Sequence, residues 1–303
     1  MRICIGHLPI LKTIGRIANI TVYKGFDVFE QLLAPISPLI IVLFLLALAI
    51  SSIGFRKTVW FISIGYVFTI TAMIITVVIA FRDQLTLLTL LQNGVLLIWS
   101  LRLGLFVIRR EAQAAYQAQV AEQNARINNL PIFVKIAIWI SSSLLYVAMF
   151  SPSLFTLTAP AQPTGVGLVV AWLGVLILVG GLVMETLADE QKSAFKLKSP
   201  GQFCNVGLYR LVRCPNYLGE IMVWIGFWVV GAAFYTGVLQ WVLSFVGLLL
   251  LVSIMMGSTK RLERGQNARY GQLAEYQQYV KSVPVLFPFI PVYTLENVKV
   301  GIE

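Results

Sequence analysis

Between Asp189 and Glu220 the chain reads DEQKSAFKLKSPGQFCNVGLYRLVRCPNYLGE, and this stretch gathers the residue types best suited to chemistry. Five cations, Lys192, Lys196, Lys198, Arg210 and Arg213, are interleaved with Phe195, Phe203, Tyr209 and Tyr217 around a Pro200-Gly201 turn. Arginine forks onto phosphate and tyrosine packs on flat rings, so the mixture suits a phosphorylated cofactor carrying a ring. Pro215 is placed to open a helix, where its missing N–H costs nothing. Asn216, Gly219 and Glu220 then share one helix face at offsets of three and four. An amide beside a carboxylate complements a carboxamide ligand, and Gly219 leaves room for a flat ligand or a close helix. Glu185 and Asp189, four apart, repeat the pattern upstream. Downstream, Lys260, Arg261, Arg264, Arg269, Tyr270, Tyr276, Tyr279 and Lys281 precede an apolar Val285–Pro291 run, and such a tail is expected to cover the loop. The competing readings are plainer: the arginines anchor to lipid headgroups, Asn216 and Glu220 satisfy loop backbone, and the tail binds anionic lipid.

These residues hang on a very apolar scaffold. Of 303 residues, 58% are hydrophobic and 12% charged, about half the charge of an average soluble domain. The apolar residues gather into runs at Ile36 to Ile53, Thr58 to Phe81, Leu85 to Ile108, Pro131 to Phe155, Gly165 to Ala188, Tyr217 to Tyr235 and Gly237 to Gly257. A helix needs about 20 such residues to cross a bilayer. The runs are too long for strands and lack the alternation of a barrel. The expected fold is therefore all-α, a polytopic integral membrane bundle of about seven transmembrane helices.

Sixteen of the 23 lysines and arginines fall on one set of connections and five on the other, with Arg102 and Lys135 inside runs. Basic loops stay in the cytoplasm, which places the N-terminus outside and the C-terminus inside. The net charge of +10 does not imply nucleic acid, because the cations sit in short loops and form no continuous face. Residues 1–35 lack a clean apolar segment and read as a leader, an interfacial amphipathic helix rather than a secretory signal. Residues 36–303 read as one transmembrane domain with a cofactor loop at 189–216 and a tail at 258–303. The polar stretch Arg109–Leu130 lacks Gly and Pro and should form a helix at the membrane surface, or a solvated connector. Cys4, Cys204 and Cys214 show no metal spacing, and structural disulfides are not expected.

Gly207-Leu208-Tyr209-Arg210, Arg213 and Pro215-Asn216-Tyr217-Leu218-Gly219-Glu220 resemble the GLWRYSRHPNYFGE signature of bacterial membrane proteins related to the steroid 5-alpha-reductases. Glu185, Ala188, Asp189, Gln191 and Lys192 fit the acidic ExxADxQK stretch before it, and Tyr276, Tyr279 and Phe287-Pro288 resemble the closing segment. The likeness runs over roughly residues 85 to 291. It implies a seven-helix fold in a bacterial inner membrane, with NADPH at the cytoplasmic helix ends and a lipid-like enone entering from the bilayer to have its conjugated C=C bond reduced. Residue by residue it puts Asp189, Lys192, Arg210, Arg213, Asn216, Tyr217 and Glu220 at the cofactor, with Arg264 and Tyr279 closing over it. The chemistry would be the cofactor's, with the protein binding, orienting and polarising.

The chain departs from that family twice. Cys214 stands where the signature has His, and no Glu lies in the span Thr58 to Phe81, where the steroid reductases carry the Glu that holds a substrate ketone. Tyr66, Tyr146 and Glu185 are then the candidate proton donors, by depth and chemistry. The implied partners are the bilayer and a lipophilic substrate, with no nucleic acid and no obligate protein partner. One alternative is an S-adenosylmethionine-dependent methyltransferase of the isoprenylcysteine or phospholipid type, which resembles the same signature but carries paired glutamates where this chain has Glu263 followed by Arg264. Another is a non-enzymatic lipid-binding membrane protein.

Overall fold

The computed structural model describes residues 38–296; the expected leader, residues 1–35, lies outside them. From Leu43 onward the described residues form one compact unit, the body of the protein. Among the described residues every regular element is helical. The α-helices are α1 Pro38–Ser51, α2 Ile64–Ala80, α3 Leu87–Glu111, α4 Ala114–Asn128, α5 Ile132–Leu157, α6 Val166–Lys198, α7 Pro215–Ala232, α8 Val238–Tyr270 and α9 Ala274–Ser282. Short 3-10 turns, Thr58–Ile62 and Gly207–Arg210 among them, join these.

Among the described residues six stretches are long and apolar enough to cross a membrane: Pro38–Phe55, Thr58–Ala80, and helices α3, α5, α6 and α8. The chain is a multi-pass helical membrane protein. The remaining expected span, α7, has 18 residues but carries Pro215, Asn216, Tyr217 and Glu220 in its first two turns, which makes it too polar for that set.

Helix α6 corrects one boundary. The stretch from Asp189 is expected to be loop, yet the helix runs on to Lys198, because no Gly or Pro interrupts it before Pro200. The connection begins only at Ser199. Likewise α8 continues to Tyr270, so the first part of the expected tail is helix.

Helices α6 and α7 pack backbone to backbone. Gly174 and Gly181 on α6 and Gly219 and Gly226 on α7 are each seven apart, which keeps each pair on one face of its helix. A Cβ at Gly181 would lie 2.5 Å from the Val223 nitrogen, and one at Gly226 would lie 2.3 Å from the Leu178 nitrogen. Small residues permit this approach in membranes, where van der Waals packing holds helices together. Gly219 follows the same rule: its neighbour is the Glu185 backbone, at 2.6 Å from an added Cβ. Of the two uses expected for Gly219, the close helix is the one present.

The polar connector is the surface helix α4, tied at both ends to the turn Thr58–Ile62. Glu111 accepts from Lys57 Nζ at 2.6 Å, Trp60 Nε1 at 3.1 Å and Gln117 Nε2 at 3.2 Å. Asn128 Oδ1 accepts from the Thr58 N–H at 2.9 Å. Large apolar side chains such as Leu173 and Leu176 on α6 and Phe245 and Leu249 on α8 point outward, as lipid-facing surfaces should.

Candidate functional site

The glycine seam sets Glu185 and Asp189 of α6 beside Glu220 of α7, and all three carboxylates are buried. Helix α3 supplies their partners. Arg102 contacts Glu185 and donates to Asp189 Oδ2 at 2.6 Å, while Trp99, three residues earlier on the same face, donates its indole N–H to Glu185 Oε2 at 2.6 Å. Tyr66 of α2 completes the group. Its hydroxyl donates to Glu220 Oε1 at 3.2 Å and accepts the Trp224 indole N–H at 2.7 Å.

Aromatic rings close the cluster. Tyr66 stacks on Tyr146 with ring centres 5.4 Å apart, and Trp99 meets Trp224 edge-on at 5.6 Å. The Tyr146 hydroxyl is committed elsewhere, donating to the Phe61 carbonyl at 2.5 Å. Of the three candidate proton donors, Tyr66 is therefore the one whose hydroxyl faces an acid, Tyr146 supports its ring, and Glu185 is held by Arg102 and Trp99.

The remaining candidates divide between a rim and a fastening. Lys192 is half-buried on the α6 face that carries Glu185 and Asp189, and Arg210 and Arg264 are exposed. Asn216 is half-buried and its Oδ1 has no hydrogen-bond partner among the described residues. Tyr217 packs on an apolar cluster of Val212, Cys214, Leu218 and Ile221 with Val285, Leu286 and Leu295. Arg213, expected at the cofactor, is instead 2% exposed and donates to Glu263 Oε1 at 2.8 Å and to the Tyr293 carbonyl. Glu263 Oε2 takes the Leu295 N–H at 2.9 Å, and the backbone N–H groups of Arg213 and Cys214 bond the carbonyls of Pro284 and Val285. The chain after α9 thus straps down the first turn of α7.

Tyr279 holds the preceding loop. Its hydroxyl donates to the Tyr209 carbonyl at 2.6 Å, and its ring joins Tyr270 and Tyr276 around Phe203. Burial pushes the Tyr279 phenol up from its ordinary range, Tyr276 up to about 12 and the Cys214 thiol up to about 11. These groups stay neutral and act through shape and hydrogen bonds.

Sequence reasoning missed Trp99, Arg102 and Trp224. A signal existed for Arg102, since an ionisable residue inside an apolar span is a functional candidate by default. None existed for Trp224, whose indole reads as one more aromatic residue of an apolar helix.

Fold and site together define a multi-pass helical membrane protein with buried acids, a phenol and two indoles gathered between its helices. The chain belongs to the family described as "Protein of unknown function (DUF1295)", the steroid 5-alpha-reductase-like family, which matches residues 36–283. Among curated proteins it is 28% identical over 130 residues to the uncharacterized protein C594.04c of Schizosaccharomyces pombe, covering 36% of this chain and 37% of that one. It is also 42% identical over 59 residues to the steroid 5-alpha-reductase DET2 of Gossypium hirsutum, covering 19% of this chain and 22% of that enzyme. The chain thus spans well under two thirds of either relative. No solved structure matches it.

Proposed function

We propose that this protein is an NADPH-dependent reductase of a C=C bond conjugated to a ketone in a lipid-like substrate, isoprenoid or steroid-like, working in a bacterial inner membrane with its basic loops on the cytoplasmic side. The observation that carries the reading is the Tyr66 hydroxyl, buried between an indole N–H and the Glu220 carboxyl. A phenol so placed is a proton donor at a site open to little water. The likeness to a steroid 5-alpha-reductase supports the same reaction class.

The residues fit the cofactor at two points. The unpartnered Asn216 Oδ1 stands one turn from Glu220 on the face that opens α7, as a ligand carboxamide with a donor and an acceptor would require. Lys192, Arg210 and Arg264 provide cations for phosphate, and Asp189 lies on the same α6 face as Lys192. NADPH, when bound, supplies a hydride equivalent to one carbon of the double bond. Tyr66 then gives its proton to the substrate, Trp224 steadies the phenol oxygen, and Tyr146 fixes the ring plane. Tyr279 orders the loop that carries Arg210.

The methyltransferase reading is less well supported, because Glu263 is already occupied by Arg213 and the Leu295 N–H. Thermal unfolding in detergent separates the readings. A ligand present at 100 times its dissociation constant adds about 2.7 kcal/mol of stability. Stabilisation by NADPH and none by S-adenosylmethionine is the expected result. The opposite pattern would assign a methyltransferase, and no response to either would favour a lipid-binding protein.

A further inference from the structure

We infer that Glu220 holds a proton in the resting protein and returns it to Tyr66 in each turnover, so that the two residues together form the acid. The kinetic half of this inference rests on the reductase reading; the resting proton does not. The charge arrangement carries it. Three carboxylates, Glu185, Asp189 and Glu220, are buried, and among the described residues one guanidinium, that of Arg102, is in ion-pair contact with two of them. Arg102 is already divided between Glu185 and Asp189, and Trp99 gives Glu185 a further hydrogen bond. Among the described residues no cation lies within ion-pair distance of Glu220, and its side chain has the Tyr66 hydroxyl as partner.

The charged and titratable groups that act on Glu220 are Tyr66 from α2, Arg102 from α3, Glu185 and Asp189 from α6, and Tyr217 from its own helix. Two of these are carboxylates already in ion-pair contact with Arg102, and Lys192 and Arg110 act on Asp189 from further out. A third ionised carboxylate in the same low-dielectric space has no ion pair of its own, only the Tyr66 hydrogen bond and a guanidinium committed to two other acids, and such a group takes up a proton instead. A carboxylic acid keeps a carbonyl oxygen for a ligand amide and gains an O–H for the phenol oxygen. Tyr66 is then free to turn its own O–H toward a substrate.

The step balances. The Tyr66 O–H bond breaks as a bond to hydrogen forms on the substrate, while the nicotinamide cofactor supplies the hydride. The phenolate left behind takes the Glu220 proton, and the Glu220 carboxylate recovers one from solvent. One proton from water is consumed per double bond reduced.

Infrared spectroscopy of the purified protein in detergent near neutral pH reads the proton directly, as the C=O stretch of an un-ionised carboxyl that shifts in heavy water. The band is expected in the wild type and in Glu185→Gln, and is expected to vanish in Glu220→Gln. Its absence from the wild type overturns the inference, as does its loss in Glu185→Gln with retention in Glu220→Gln. Should Glu220→Gln not fold, Tyr66→Phe gives a second reading: removing the phenol must move the band, and an unmoved band also overturns the assignment. For turnover, Glu220→Gln should lower kcat by about 10²–10⁴-fold, the usual share of a general acid. A wild-type kcat in that variant overturns the relay. If the wild type reduces no enone with NADPH, the reductase reading fails, while the infrared result still decides the resting proton.

Discussion

Arg102 and Arg213 are both buried against carboxylates, yet their surroundings differ in one respect. Arg213 meets one acid, Glu263, whose second oxygen is filled by a backbone N–H, and the neighbouring side chains are apolar. Charge is balanced there. Arg102 serves two acids with a third close by, and the neighbours are a phenol and two indoles. A balanced buried pair fastens chain segments together, whereas an unbalanced one leaves a group ready to exchange a proton or meet a ligand. The two regions also sit at different places: the first straps the end of α7, and the second lies between the helices.

The sharpest way to break the comparison is to remove each arginine. Arg102→Met leaves Glu185 and Asp189 buried without a cation and should cost about 3–5 kcal/mol, read as thermal unfolding in detergent. Adding Glu185→Gln and Asp189→Asn should restore much of that stability, and turnover should stay lost.

Arg213→Met alone should also destabilise, by about 3 kcal/mol. Here the double variant Arg213→Met with Glu263→Leu should return to within about 1 kcal/mol of the wild type, because apolar replacement of a balanced pair is close to neutral. Its NADPH affinity should be unchanged. A loss of affinity that deepens at low salt and fades at high salt would return Arg213 to a phosphate and erase the distinction between the two regions.

Gly226→Ala tests the seam that brings the acids together. The new Cβ has no room against Leu178, and the variant should lose about 1–3 kcal/mol. The interior cluster should suffer first, so Tyr66-dependent turnover is expected to fall before the strap around Arg213 loosens, as limited proteolysis after Ser282 would show.

The smallest effect concerns the strap alone. Burial raises the Cys214 thiol from its ordinary value of 9.0 to about 11, so the folded state prefers the protonated form. The stability this contributes is complete below pH 9 and falls as pH rises toward 11. Alkylation should follow the same window, slow at about pH 8 in the folded protein and fast after unfolding. Rapid labelling of Cys214 under those conditions without unfolding would show that the strap opens on its own.

Much of the fold was legible because helical patterning is local. Apolar runs of bilayer length marked each helix of the bundle, and Pro215 marked the start of α7. The ends of α6 and α8 were misjudged where polar sequence continued a helix past the apolar run, since polarity marks the edge of the membrane rather than the end of hydrogen bonding. At the candidate site, Glu185, Asp189 and Glu220 could be read from spacing on a helix face. Their partners could not: Tyr66 lies 154 residues from Glu220, and Arg102 lies 87 from Asp189.

What the sequence by itself determined is the solvent and the inventory: a helical membrane chain with its cations gathered on one set of connections, carrying three acids on two helix faces. Only the tertiary structure decided how the charges divide. Composition offers several arginines to those acids, but ion pairing falls off within a few ångström, and the backbone approach at Gly181, Gly219 and Gly226 determines which side chains come that close. That approach set Glu185 and Asp189, which Arg102 serves, beside Glu220, which is left with Tyr66, while the strap after α9 holds Arg213 on Glu263.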